Sequence, residues 1–297
     1  MINSDISLSR PIACAARLAA HAADTHRFPD KRVLLTGDPE ILTTNNGEFL
    51  LFDSIRLLVR FCRFLDVWLP PSVRELRREA KLLAKRIEFT QPVNFLEDPP
   101  SYRSYDAILS VGATVQADLP WTTINSNGWL ARVSSTRMDL DSACSQANPI
   151  GALAAASLGA SEVFKRLLVL NPERGPFFDN LRFSCYTLEA NTNDPGPPIP
   201  ETIHLARALS LGQGAIGNGI TLLLTQLRCA GSVLLLDGQE YGPENLGTCV
   251  LLGIDGVDSP KADWNASQFF PAHDLDVIPV ADTLDKVLSK FGSKYPY

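Results

Sequence analysis

The run Leu211-Gly212-Gln213-Gly214-Ala215-Ile216-Gly217 constrains this chain more than any other segment. Residues 206–211 lead into it as an apolar strand, and residues 216–227 follow it as an apolar helix. Three glycines at this spacing have separate uses: Gly212 permits a tight turn, Gly214 lets backbone approach a phosphate, and Gly217 lets the helix pack on the strand. The helix N-terminus, formed by Ala215 and Ile216, then offers free N–H groups and a positive dipole end to an anion. Twenty residues after Gly217, Asp237 closes a second apolar strand, 232–236, where a carboxylate would accept hydrogen bonds from ribose hydroxyls. Together these features predict a nucleotide-binding, Rossmann-type unit.

The rest of the chain alternates in the same way. Helices are expected over 261–270 and 283–291, with a strand over 277–280. Upstream, 32–36 and 106–112 read as buried strands, and 121–133 reads as strand around a turn at Asn127-Gly128. Residues 149–168 read as one long helix, capped by Asn148 and rich in Gly and Ala, and 183–188 as a further strand. Pro195, Pro197, Pro198 and Pro200 interrupt any regular element, so 191–200 reads as a linker or long surface loop. The expected fold class is α/β, with Rossmann-like parallel sheets and flanking helices in two related halves, 1–190 and 201–297.

Two helices of the first half carry many charges. One lies within 47–69, with Asp53, Arg56, Arg60, Arg63 and Asp66 recurring as on a wet face. The other, 72–87, places Leu76, Ala80, Leu83 and Ile87 on one side and Arg74, Arg77, Arg78, Lys81 and Lys85 elsewhere. That basic side reads as solvated, with docking of an acidic partner as the minority reading.

A net charge of −6 gives no basic footprint for nucleic acid. No apolar run reaches the roughly 20 residues of a membrane span. Six cysteines, Cys144 among them, form no C-x-x-C pair and do not cluster with the four histidines, which argues against zinc. They read as free thiols of a cytoplasmic protein.

The residues after Asp237 discriminate among nucleotide proteins. Asn245-Leu246 follows eight residues later, and Ser259-Pro260-Lys261-Ala262 closes the segment. This pattern resembles the adenylating domain of the ThiF/MoeB/HesA and ubiquitin-activating enzyme superfamily. The resemblance implies that Asp237 binds the ATP ribose, Asn245 faces the nucleotide, and Lys261 contacts the phosphates. A lysine there would neutralise charge developing at the α-phosphate as a carboxylate attacks it. Two positions depart from the family pattern: Thr248 stands where an arginine is usual, and Gln239 where a second acidic residue is usual. The family's magnesium-binding Asp lies beyond the Pro-Lys segment, so this chain is expected to lack the downstream half of that domain. In the first half, Pro149-Ile150-Gly151 and Glu162-Val163-Phe164-Lys165 resemble the family's closing helix, while Thr36-Gly37-Asp38-Pro39-Glu40 replaces a glycine fingerprint. The resemblance therefore implies an inactive adenylation-like half followed by an active one.

The implied function is ATP- and Mg²⁺-dependent adenylation of the C-terminus of a ubiquitin-like or sulfur-carrier protein, in sulfur-carrier synthesis or a bacterial conjugation system linked to phage defence. A homodimer is left open. Two other readings stay open. A nicotinamide- or flavin-dependent oxidoreductase shares the glycine loop and Asp237 but leaves Asn245 and Pro260-Lys261 without a role. A non-catalytic scaffold for a ubiquitin-like partner accommodates Thr248 and Gln239.

Overall fold

A computed structural model describes residues 4–18, 27–112, 116, 118–135, 146–168, 176–269 and 274–291; Cys144 lies outside them. The chain divides into two units, Leu8–Ile199 and a second made of Pro200–Tyr297 with Met1–Ser7. Two short helices, α1 (Ser4–Ser7) and α2 (Ser9–Leu18), open the chain.

The larger unit is built on a seven-stranded sheet. Its strands are β1 (Arg32–Gly37), β2 (Phe64–Val67), β3 (Asn94–Phe95), β4 (Ala107–Val111), β5 (Trp121–Asn127), β6 (Leu130–Ser134) and β7 (Leu181–Ser184), in the order β3-β2-β1-β4-β5-β6-β7. Pairing is parallel from β3 through β5 and antiparallel for β6 and β7. This is a Rossmann-like α/β arrangement, and the strand order reverses between β1 and β4. The helices are α3 (Pro39–Leu42), α4 (Asn45–Leu58), α5 (Arg74–Ile87) and α6 (Pro149–Leu168). β1 reads as a continuous apolar run because both faces of a parallel sheet are covered. Val33 and Leu35 enter the main core with α4 and α6, whereas Leu34 joins Ile108, Trp121 and Tyr105 on the opposite face.

The small residues of α6 bring it close to the sheet. A Cβ on Gly159 would lie 2.5 Å from Ile124 Cγ2, and one on Gly151 would lie 2.2 Å from the Gly128 carbonyl oxygen. Asn148 Oδ1 accepts the Ile150 N–H at 2.8 Å and caps the helix. The hairpin loop holds Gly128 and Trp129, since Asn127 pairs with Leu130, and Gly128 takes a φ of 55°. The proline-rich segment is fastened here. Trp129 N–H donates to the Pro195 carbonyl and its Nε1–H to the Pro197 carbonyl, each at 2.8 Å.

The charges of 47–69 do not form a wet helical face. Asp53 is fully buried in α4, paired with Arg56 at 3.1 Å, and Arg60 is also buried. Asp66 belongs to a strand, β2, not to a helix. Its carboxylate is buried between Arg32 (2.8 Å), the Tyr105 hydroxyl (2.7 Å) and Asn94 Nδ2 (2.9 Å). A buried charge persists only when paired in this way.

Where the strand order reverses, Asp38 closes on the end of β4. Asp38 N–H donates to the Val111 carbonyl at 2.8 Å, and a Cβ on Gly112 would lie 2.3 Å from Asp38 Oδ2. A short helix, α3, follows directly after Asp38.

The smaller unit runs β8 (Ile203–Leu211), α7 (Ala215–Gln226), β9 (Cys229–Leu236), α8 (Lys261–Ala266), β10 (Leu275–Val280) and α9 (Leu284–Phe291). Its sheet is parallel in the order β10-β9-β8, so its first three strands repeat the order β3-β2-β1 of the larger unit. Among the described residues β8 and β10 are the edge strands of this sheet, and the register of β8 with β9 shifts between His204 and Arg207. Among the described residues, no helix is long and apolar enough to cross a membrane.

Candidate nucleotide site

The glycine loop lies at the carboxyl ends of β8 and β9, joining β8 to α7. Gly212 has a φ of 79°, and its N–H donates to the Leu236 carbonyl at 2.8 Å. A Cβ on Gly212 or Gly214 would meet nothing within 4 Å, so these two glycines face open space. Gly217 differs: a Cβ there would lie 2.0 Å from the Gly212 carbonyl oxygen. Its role is packing. Gly214 caps α7 without a side chain, so the first-turn N–H groups at Ala215 and Ile216 have no side-chain cap. Ile216 itself is 82% exposed beside the loop.

Asp237 tethers the loop. Its Oδ2 accepts the Gln213 N–H at 2.7 Å and its Oδ1 accepts the Gln239 N–H at 2.9 Å. Each carboxylate oxygen keeps a further lone pair for a ligand hydroxyl.

Lys261 begins α8 and is 7% exposed. Its Nζ donates to Gln239 Oε1 at 2.7 Å, and its backbone N–H to the Gln239 carbonyl at 2.9 Å. The ammonium also lies 5.8 Å from the centre of the Tyr241 ring. Among the described residues no carboxylate pairs with it. A lysine enclosed in this way, with a neutral side-chain partner, can take an anion beside it.

Asn245 lies in the turn that follows Tyr241. It is buried, and its Oδ1 accepts the Gly242 N–H at 2.9 Å. Its backbone carbonyl accepts from Thr248 and Cys249. The amide oxygen therefore shapes the turn after Tyr241. Loop, Asp237, Gln239 and Lys261 are linked by consecutive hydrogen bonds; Asn245 stands outside that chain of contacts.

A buried amide network under the loop carries no sequence motif. Gln213, Asn218, Tyr241 and Asn265 are all fully buried. The Tyr241 hydroxyl donates to the Gln213 carbonyl at 2.6 Å. Asn218 Nδ2 donates to Asn265 Oδ1 at 2.8 Å, and Asn265 Nδ2 to Gln213 Oε1 at 3.0 Å. Asn218 Oδ1 accepts the Leu251 N–H at 2.8 Å. The network fixes the middle of the loop from below. Burial, with smaller contributions from Cys249 and Asp237, raises the Tyr241 phenol above its ordinary range and outweighs the Asn218 and Asn265 hydrogen bonds. The available signal was an amide, Asn218, directly after the third glycine on the packed side of the helix.

No protein-family model matches the chain, and no curated protein matches it. Among solved structures it is similar to E. coli MccB, at 10% identity over 62% of this chain and 68% of that one, with a TM-score of 0.39. It is similar to E. coli MccB with AMPCPP and selenomethionine MccA, at 12% identity over 67% and 73%, with a TM-score of 0.41. The microcin C7 biosynthetic enzyme MccB in complex with N-formylated MccA gives 10% identity over 66% and 75%, again with a TM-score of 0.41. At these TM-scores the likeness carries no argument about function; the fold class rests on the strand order itself.

Proposed function

We propose that the smaller unit binds ATP at the Gly212–Gly217 loop and adenylates the C-terminal carboxylate of a ubiquitin-like or sulfur-carrier protein. The observation that carries this reading is Lys261, a residue only 7% exposed whose Nζ donates to the neutral Gln239 amide beside an open glycine loop. In this reading the loop amides and the α7 N-terminus hold phosphate, and Asp237 accepts from ribose hydroxyls. ATP supplies the activated phosphate. An oxygen of the partner's carboxylate bonds to the α-phosphorus, the bond to the bridging oxygen breaks, and pyrophosphate leaves. Lys261 offsets the negative charge that builds on the phosphate oxygens.

Mg²⁺ is part of the family expectation. The described residues bring no group of three or more His, Cys, Asp or Glu together, and no step here is routed through a metal. Residues 1–190 are read as the inactive half, 191–200 as the connection, and 201–297 as the ATP-binding half. Asp38, whose carboxylate stands against Gly112 at the end of β4 where a glycine turn would leave space, supports the first assignment. Pyrophosphate exchange with candidate carrier proteins tests the whole reading. Thermal stabilisation by NAD alone, with none by ATP, would overturn it. A second reading, a scaffold that binds a carrier protein without activating it, draws on Thr248 and Gln239, the two departures from the family pattern. Carrier binding with no exchange is its signature.

A further inference from the structure

The exposed side of α5 lies in the larger unit and plays no part in the nucleotide site. Arg74, Arg78, Lys81 and Lys85 follow one another at helical spacing along a single exposed stripe. Arg78 pairs with Glu75, and Lys81 lies 3.7 Å from Glu97; all four of these side chains are largely exposed, so both pairs are weak and exchangeable. Arg74 and Lys85 have no ion-pair partner among the described residues.

Lys81, Ala84, Lys85, Val93 and Phe95 line a groove of about 320 Å³, with the Lys81 ammonium 5.8 Å from the centre of the Phe95 ring. Glu88 also lines the groove, but its Oε2 accepts the Val93 N–H at 2.9 Å and is held there. The groove borders β3, an edge strand among the described residues. Arg77 donates to the carbonyls of Phe95 and Leu96 at 3.3 and 2.8 Å.

We propose that this groove docks an acidic peptide segment of a partner protein, with carboxylates on Lys81 and Lys85 and an apolar side chain against Ala84, Val93 and Phe95. Charge complementarity selects acidic over basic segments. The apolar lining selects a peptide over a nucleic acid, and the chain's net charge of −6 opposes a long polyanion. The proposal stands apart from the nucleotide reading.

The test is fluorescence anisotropy on the full chain with a labelled twelve-residue peptide of alternating Glu and Leu. Binding should weaken at least tenfold between 50 and 300 mM NaCl. The surface double variant Lys81→Glu/Lys85→Glu should lose at least tenfold in affinity while keeping the wild-type circular dichroism and melting curve. Phe95→Ala should weaken binding with little change in the salt slope, which a purely ionic contact would not produce. Equal binding by wild type and double variant overturns the proposal. So does equal binding of a Lys/Leu peptide, or preferential binding of double-stranded DNA that the same double variant abolishes.

Discussion

Lys261 Nζ rests 2.7 Å from Gln239 Oε1, so a nearly buried cation is partnered by a neutral group. Gln239→Glu would give that cation a permanent counter-charge. The unliganded protein should melt higher, and ATP should bind about tenfold more weakly, a loss of ~1.4 kcal/mol, because the new carboxylate competes with phosphate. Calorimetric titration and thermal denaturation check both effects. A simultaneous gain in affinity would remove Lys261 from the anion site.

Lys261→Met tests the same cation by deletion. A hydrogen bond to a charged group contributes about 1.5–3 kcal/mol, so ATP affinity should fall roughly ten- to hundredfold. The unliganded melting temperature should hold or rise, since replacing a buried charge by an apolar chain of similar volume is often neutral or stabilising. Isothermal titration and scanning calorimetry separate the two outcomes.

Gly214 and Gly217 separate ligand contact from packing. Gly214 has a φ of −71° and open space around it, so Gly214→Ala should change stability by less than ~0.5 kcal/mol while cutting ATP affinity. Gly217→Ala forces a methyl group to within 2.0 Å of the Gly212 carbonyl and should lower stability and binding together. Urea unfolding alongside nucleotide titration distinguishes them; an unchanged ATP affinity in Gly214→Ala would show that nothing approaches the loop there.

Tyr241 predicts an alkaline weakness. Burial raises its phenol above the ordinary value, so its contribution to stability is fully present below about pH 10 and is lost as pH rises through the raised value. Tyr241→Phe leaves the Gln213 carbonyl without its hydroxyl donor and should cost about 1–3 kcal/mol at pH 7. That deficit should shrink above pH 10. Urea titrations at pH 7 and 10.5 measure the difference.

One substitution should have opposite signs in two helices. Gly219 of α7 has nothing within 4 Å of its Cβ position, so Gly219→Ala should stabilise by roughly 1 kcal/mol through helix propensity. Gly159→Ala in α6 meets Ile124 Cγ2 at 2.5 Å and Leu109 Cδ1 at 2.8 Å. Overpacking of about 1–3 kcal/mol outweighs the propensity gain, and the protein should lose stability. Denaturant midpoints of both variants check the pair.

The glycine loop, its two strands and its helix were legible because each has a periodic pattern with a specific residue at its boundary. The long helix α6 was legible for the same reason, with Asn148 and Pro149 marking its start. β2 was not: Phe64–Val67 is four residues long and directly follows the apolar pattern of α4, so Asp66 looked like one more wet helical position. Its burial depends on Arg32, Tyr105 and Asn94, which are remote in sequence. For Asn245, spacing marks the position, and the structure adds that its amide oxygen accepts the Gly242 N–H. The network of Gln213, Asn218, Tyr241 and Asn265 is spread over 53 positions, from 213 to 265, and no local pattern joins its members.

The register shift in β8 bears on solubility. A straight outer strand in an all-parallel sheet is a template for stacking with another chain. Ala206 takes a φ of 48° where the pairing slips between His204 and Arg207, so the outer ladder of β8 is broken partway along its length. A bulge twists a strand and interrupts the even spacing of its free amides. The outer side of β8 is thus a poorer template for an added strand than a regular ladder would be, six residues ahead of Gly212.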